Sequence, residues 1–201
     1  MMSVLKLKAV SESTNSNPND TAKKRQIVDL GNGSEVIYIQ RFLSSDQSWK
    51  WFDYLDKQIP WTRPTIRVFG KCFLQVHKAL PGSSFNSVLL NRYKSGNDCV
   101  GWHADDEKVY GPTPEIASVS FGCEREFILK KRPSKKSRDG SDEPASKRLK
   151  KSSPGDQHSY TLKHGSLLVM RGNTQRDWIH SVPKRAKAEA TRINLTFRLV
   201  F

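Results

Sequence analysis

The sequence predicts a mainly β, α+β domain of sandwich or jelly-roll type. Three observations carry that reading. From Ser87 onward, short segments rich in β-branched and aromatic residues follow one another closely. Gly, Pro and Asn turns separate them. Helical periodicity, by contrast, is confined to the stretch before Ser87.

Residues 1–26 are polar and poor in apolar side chains, and read as a disordered tail ahead of a domain over 27–201. Ile27 to Phe42 reads as strand–turn–strand, with Gly31-Asn32-Gly33 as the turn. Ser45 to Lys57 reads as a helix capped by Ser44 or Ser45, because Trp49, Phe52 and Leu55 share one face. Asp46, Lys50, Asp53 and Lys57 fall on the opposite face. Val76 to Leu80 looks like the end of a second helix, closed by Pro81-Gly82. Ser87–Tyr93 is the next strand, and Ile116–Phe121 with Arg125–Lys131 reads as a hairpin around Gly122. Tyr160–Lys163, Ser166–Arg171, Trp178–Val182 and Arg192–Phe201 complete the series. A long basic insert, 130–159, interrupts it; such loops are uncommon in compact domains unless functional or disordered.

With 201 residues the chain is long enough for one domain with a substantial core. Its hydrophobic content of 36% is low, which implies that part of it lies outside that core. No apolar run approaches the ~18 residues of a membrane span, and Met1–Ala9 lacks a secretory-signal pattern. Cys72, Cys99 and Cys123 are odd in number and lack C-x-x-C spacing, so reduced thiols in an intracellular protein are the expectation. The net charge of +14 predicts attraction to polyanions. Between Lys130 and Lys151 ten Lys or Arg face three acids, so half of that excess sits in one segment.

His103-Ala-Asp105 and the distant His180 offer two imidazoles and a carboxylate, the ligand set of the facial triad that holds non-haem Fe(II). On a strand, His103 and Asp105 would face the same side. The pair equally suits a polar loop, and His180, within Trp178-Ile-His-Ser-Val182, equally suits a satisfied core histidine. The last strand adds information. Arg192, Asn194, Thr196 and Arg198 share one face, and Ile193, Leu195, Phe197 and Leu199 the other. Such a polar face fits an edge strand in solvent. It also fits a dicarboxylate site, because guanidinium grips carboxylate through paired, charge-assisted hydrogen bonds. Asn91 and Tyr93, two apart on their strand, could add neutral donors.

These motifs together resemble the AlkB family of Fe(II)/2-oxoglutarate-dependent dioxygenases, and most of all its homologue-two branch. The resemblance rests on Asn91-Arg-Tyr93-Lys, His103-Ala-Asp105-Asp106-Glu107, Ile116-Ala-Ser-Val-Ser-Phe-Gly122, His164-Gly-Ser-Leu-Leu168, Trp178-Ile-His180-Ser-Val-Pro183 and Arg192-Ile-Asn-Leu-Thr-Phe-Arg198. It runs from about Val68 to the end, apart from the basic insert. The resemblance implies a double-stranded β-helix (jelly-roll) core with flanking helices. It implies His103, Asp105 and His180 as iron ligands. It implies Arg192 on the distal carboxylate of 2-oxoglutarate, with Asn91, Tyr93, Thr196 and Arg198 completing the site. Fe(II), 2-oxoglutarate and dioxygen would be required, with the chemistry centred on iron and no separate acid or base residue.

The implied activity is DNA oxidative demethylation: hydroxylation of the N-methyl group of 1-methyladenine or 3-methylcytosine in duplex DNA, with release of formaldehyde. A base inside a duplex must be flipped out to react. Phe69, Gly70 and Lys71 resemble the family's wedge, where an apolar residue fills the gap in the stack. Asp106 and Glu107 are candidates for reading the flipped base. The basic insert resembles a nuclear import signal and could also hold the DNA backbone. The implied protein is a nuclear monomer acting on double-stranded DNA, with single-stranded DNA or RNA as rival substrates and no membrane partner. A departure from the family lies near 71–76, where a base-stacking lid is expected but Gln75 runs straight into a helix. That truncation implies an internally deleted form with weak or no repair, in the limit a non-catalytic nucleic-acid-binding module.

Overall fold

The computed structural model describes residues 4–6, 25–61, 67–69, 71–133 and 155–201. Twelve strands and three α-helices follow in chain order among them: β1 (Val4–Lys6), β2 (Arg25–Gly31), β3 (Ser34–Ile39), α1 (Ser45–Gln58), β4 (Arg67–Phe69), α2 (Lys71–Ala79), β5 (Ser87–Tyr93), β6 (Val100–His103), β7 (Ile116–Gly122), β8 (Arg125–Lys131), β9 (Gln157–Leu162), β10 (Ser166–Gly172), α3 (Thr174–Asp177), β11 (Trp178–Val182) and β12 (Arg192–Arg198). A short 3-10 turn covers Lys108–Tyr110. The major sheet has the order β2-β3-β10-β7-β12-β5 and the minor sheet β6-β11-β8-β9. All their pairings are antiparallel. This is the mainly β jelly-roll arrangement that the sequence predicts.

Period-two alternation divides the core into two layers. Ile37 and Ile39 of β3, Val119 and Phe121 of β7, and Leu167 and Val169 of β10 pack with Trp51 and Leu55 of α1. The alternate residues Val36, Tyr38, Leu168 and Met170 turn to the other side and pack with Phe127, Leu129 and Trp178 of the minor sheet. On β12 the same alternation sends Ile193, Leu195 and Phe197 into the helix-side layer. Arg192, Asn194, Thr196 and Arg198 therefore point between the sheets, and all seven residues of β12 are buried. The solvated edge strand is thus excluded: β12 lies between β7 and β5.

Several expectations need correction. Ile116–Gly122 and Arg125–Lys131 do not form a hairpin. β7 pairs with β10 and β12, whereas β8 pairs with β9 and β11. Gly122 is the corner where the chain leaves one sheet for the other. Its φ is +78°, and a Cβ there would stand 2.3 Å from the Thr191 carbonyl oxygen. On α1 the buried face is Ser48, Trp51 and Leu55, while Trp49 is half exposed and stacks on His164 at 4.1 Å between ring centroids. Ser44 is the cap, accepting from the Gln47 amide at 3.3 Å. The last strand stops at Arg198 rather than running to Phe201. Val4–Lys6, inside the segment read as a disordered tail, forms a parallel pair with Arg67–Phe69. An apolar-led triplet, Val-Leu-Lys, is what that short pairing uses. Arg25 and Gln26, also read as tail, open β2; the rest of the tail, and most of the basic insert (134–154), lie outside the described residues.

Gly122→Ala should destabilise the fold by about 2 kcal/mol or more, since it combines a left-handed backbone with a steric clash. Urea denaturation checks this, and an unchanged midpoint would contradict the corner assigned to Gly122.

Candidate active site

At one end of the sandwich the inter-sheet layer stops being apolar and opens into a cavity of about 260 Å³. Its walls come from both sheets. β12 contributes Arg192, Asn194, Thr196 and Arg198, and β5 contributes Asn91 and Tyr93. The register sets Arg192 opposite Tyr93 and Asn194 opposite Asn91. The minor sheet contributes His103 and His180, which are direct cross-strand partners with ring centroids 4.2 Å apart. Asp105 and Glu107 close the cavity from the loop after β6. Asp105 therefore meets His103 through a turn of the chain rather than along one strand.

His103 Nδ1 lies 2.9 Å from the Gly101 carbonyl, which can only accept, so Nδ1 donates there and Nε2 is the ring nitrogen left to face a metal. His180 is 5% exposed and stacks on Phe127 at 5.2 Å. Burial, reinforced by the neighbouring His103, lowers its pKa to about 4. Asp105 is buried and ionically paired: Arg198 Nη2 donates to Oδ1 at 2.9 Å. Its main-chain amide donates to Gln175 Oε1 at 2.9 Å. Among the described residues, no three His, Cys, Asp or Glu side chains are already closed into a metal-ligand set. His103, Asp105 and His180 share a cavity instead, with the Asp105 carboxylate held by Arg198.

Arg192 dominates the opposite wall. It is 1% exposed, and burial pulls its pKa down. Nη2 donates to Ser120 Oγ and Asn194 Oδ1, both at 3.0 Å. Asn194 Oδ1 also accepts from Ser118 Oγ at 2.8 Å, and Asn194 Nδ2 donates to Thr196 Oγ1 at 2.6 Å. The Tyr93 ring lies 4.8 Å from the guanidinium, and its hydroxyl supports the charge. Nε and Nη1 of Arg192 have no hydrogen-bond partner among the described residues. A buried charge with unsatisfied donors is costly, and such a site fits an anion. Arg198, with Tyr110 at 5.4 Å from its guanidinium, has an unpartnered Nε in the same state.

The candidate substrate residues separate. Glu107 lines the cavity, at its loop wall. Asp106 faces a neighbouring cleft, where it pairs with Arg132 at 2.6 Å. Phe69 falls on β4 and Lys71 begins α2, while Gly70 is outside the described residues. Sequence reasoning missed Ser118, Ser120, Tyr110 and Gln175. The two serines had a legible signal, small hydroxyls alternating with Ala117, Val119 and Phe121 on one strand. Gln175 had none, because only the tertiary fold brings α3 to the Asp105 amide.

The family model described as "2OG-Fe(II) oxygenase superfamily" matches residues 74–198. The chain is 57% identical over 241 residues to "DNA oxidative demethylase ALKBH2" of Arabidopsis thaliana, covering 99% of this chain and 76% of that protein. It is 44% identical over 119 residues to human ALKBH2, and 42% identical over 120 residues to human "Alpha-ketoglutarate-dependent dioxygenase alkB homolog 3". It spans 41% and 38% of the length of those two human proteins. Among solved structures, OsALKBH1 superposes with a TM-score of 0.55 at 16% identity, covering 86% of this chain and 99% of that one, a likeness of fold alone. The family match covers most of the chain and every cavity residue discussed above. The chain belongs to the 2OG-Fe(II) oxygenase superfamily and, within it, to the AlkB-type dioxygenases of the ALKBH2 kind, which require Fe(II), 2-oxoglutarate and dioxygen.

Proposed function

We propose that this chain is a DNA oxidative demethylase that removes N-methyl lesions, 1-methyladenine and 3-methylcytosine, from duplex DNA in the nucleus, acting as a monomer. The observation that carries the proposal is the buried, unsatisfied Arg192 guanidinium in a cavity shared with His103, Asp105 and His180. Such a cavity suits a divalent cation and a dicarboxylate together, whose charges balance each other. His103, Asp105 and His180 would hold the iron. Arg192 would take the distal carboxylate of 2-oxoglutarate, with Tyr93, Asn91 and Thr196 beside it. Arg198 would steady Asp105 and the carboxylates on the metal side. Fe(II), 2-oxoglutarate and dioxygen together supply the oxidising power that hydroxylates an N-methyl carbon, after which formaldehyde leaves.

The DNA assignment is supported by 57% identity to a DNA oxidative demethylase and by the charge of +14. Glu107, on the cavity wall, would accept a hydrogen bond from the exocyclic amine of a flipped base. Asp106 would join it only after leaving Arg132. Phe69 would fill the vacated stack, with Gly70 and Lys71 beside it. The basic insert would hold the opposite backbone and carry the nuclear import signal.

A second reading has its own observation. The match to the Arabidopsis protein spans 241 positions against a chain of 201 residues, so at least 40 positions are filled in that relative and empty here. On this reading the shortfall lies near 71–76, where the family's base-stacking lid is expected. On that reading the chain turns over 2-oxoglutarate but presents bases poorly.

The test measures succinate and formaldehyde with Fe(II), 2-oxoglutarate and methylated duplex, single-stranded DNA or RNA. Duplex should give the most formaldehyde, and a preference for RNA would contradict the DNA assignment. Succinate should exceed formaldehyde if the lid is short. Repair equal to that of the longer relative would sink the truncated-lid reading. His180→Ala should abolish both products, a loss of roughly 100-fold or more. Arg192→Met should remove 2-oxoglutarate-induced thermal stabilisation while leaving the free protein as stable as before or more so, since it removes a buried unpaired charge.

A further inference from the structure

A second guanidinium is buried beside this cavity, and the site described above does not use it. Arg125, on β8, is 1% exposed. Its hydrogen-bond acceptors are main-chain carbonyls: Ser95 at 3.3 Å, Asp98 at 2.7 Å and Pro183 at 2.6 Å. Its Nε has no partner among the described residues, and its guanidinium carbon lies 5.4 Å from the Tyr93 ring. Tyr93 therefore touches two buried guanidiniums, Arg125 and Arg192.

The three carbonyls belong to two loops that frame the metal side of the site. Ser95 and Asp98 lie between β5, which ends at Tyr93, and β6, which ends at His103. Pro183 follows β11, which carries His180. The loops also bond each other, through Gly96 N to Ala188 O at 2.5 Å and Arg185 N to Gly96 O at 2.9 Å. A Cβ on Gly96 would stand 1.7 Å from the Arg185 carbonyl oxygen, so the crossing is close enough to admit only glycine. β6 needs such support. It has four residues, lies at the edge of its sheet, and its pairing with β11 breaks register between His180 and Val182. An isolated pairing of that length is weak.

We propose that Arg125 is a positioning residue of the dicarboxylate and metal pocket: by gripping the carbonyls of Ser95, Asp98 and Pro183 and supporting the Tyr93 ring, it holds β5, β6 and β11 so that Tyr93 meets Arg192 and His103 meets His180. A planar fork with five donors reaches three carbonyls on two loops; a lysine ammonium keeps the charge but has a single nitrogen and cannot span them equally. The proposal rests on the assignment of the cavity to 2-oxoglutarate.

The test titrates 2-oxoglutarate into the Mn(II)-loaded full chain by calorimetry, without turnover, and measures KM and kcat in parallel with Fe(II). Arg125→Lys should raise the dissociation constant and the KM for 2-oxoglutarate by roughly tenfold, while kcat at saturation changes by less than about twofold. Asp98→Ala loosens the same loop from its exposed side, because the Asp98 carboxylate accepts from the Lys94 amide at 2.6 Å. It should shift affinity in the same direction by about threefold. Arg192→Met separates the two claims. If it leaves 2-oxoglutarate binding intact, the cavity assignment fails. If it abolishes binding while folded Arg125→Lys and Asp98→Ala both bind within about twofold of the parent, Arg125 is a structural brace only and the proposal is overturned. Should Arg125→Lys fail to fold, Asp98→Ala decides alone, and unchanged affinity overturns the proposal.

Discussion

Arg192 and its row on β12 set the conditions that the rest of the molecule meets. Strand alternation forces every second residue of β12 between the sheets, and those residues are Arg192, Asn194, Thr196 and Arg198. A polar row inside a sandwich is unfavourable unless its donors and acceptors are matched. The neighbouring strands match most of them: Ser118 and Ser120 from β7, and Asp105 from the loop after β6. What remains is the unsatisfied part of two guanidiniums, on residues that line the cavity that the two histidines share. The hydrophobic layers on either side serve to hold this row in place. The helix-side core of Ile193, Leu195 and Phe197 fixes the rotation of β12, and a slip of one residue would exchange the two faces.

Much of this was legible in the sequence, and the failures have physical causes. Strand positions were readable because β-branched and aromatic runs are bounded by Gly, Pro and Asn; Ser87–Tyr93 and Trp178–Val182 match the structure end to end. Pairing was less readable. Gly122 looked like a hairpin turn because strands flank it closely, yet whether a chain turns back or crosses to a second sheet depends on contacts far away, here Thr191 and Phe52. Trp49 looked like a core residue by helical spacing, but α1 buries Ser48, Trp51 and Leu55, and the indole lies instead over His164. The cavity residues on β5 and β12 were readable from alternation. Gln175 and Arg125 were not, because the bonds that tie them to the site run to main-chain atoms that carry no residue-specific signal.

The cavity and the elements that would present a base to it rest on different parts of the chain. The cavity is built on strands with matched registers, and it is present in full among the described residues. The Arabidopsis relative carries at least 40 further positions within the matched span, and on our reading they belong to the segment before β5 that would help present a base. Loops tolerate such losses better than strands, because their removal breaks few core contacts. On our reading, co-substrate binding and base presentation are therefore separable, and a chain can keep the first with a reduced second.

The central claim is that Arg192 reads the far carboxylate of a dicarboxylate bound at the metal. Comparing 2-oxoglutarate with pyruvate, a 2-oxoacid that lacks that carboxylate, tests it most directly. Calorimetric titration of both into the Mn(II)-loaded chain should show 2-oxoglutarate binding tighter by roughly 100-fold or more, the penalty for leaving a buried guanidinium unmatched. Equal affinity for the two acids would contradict the account.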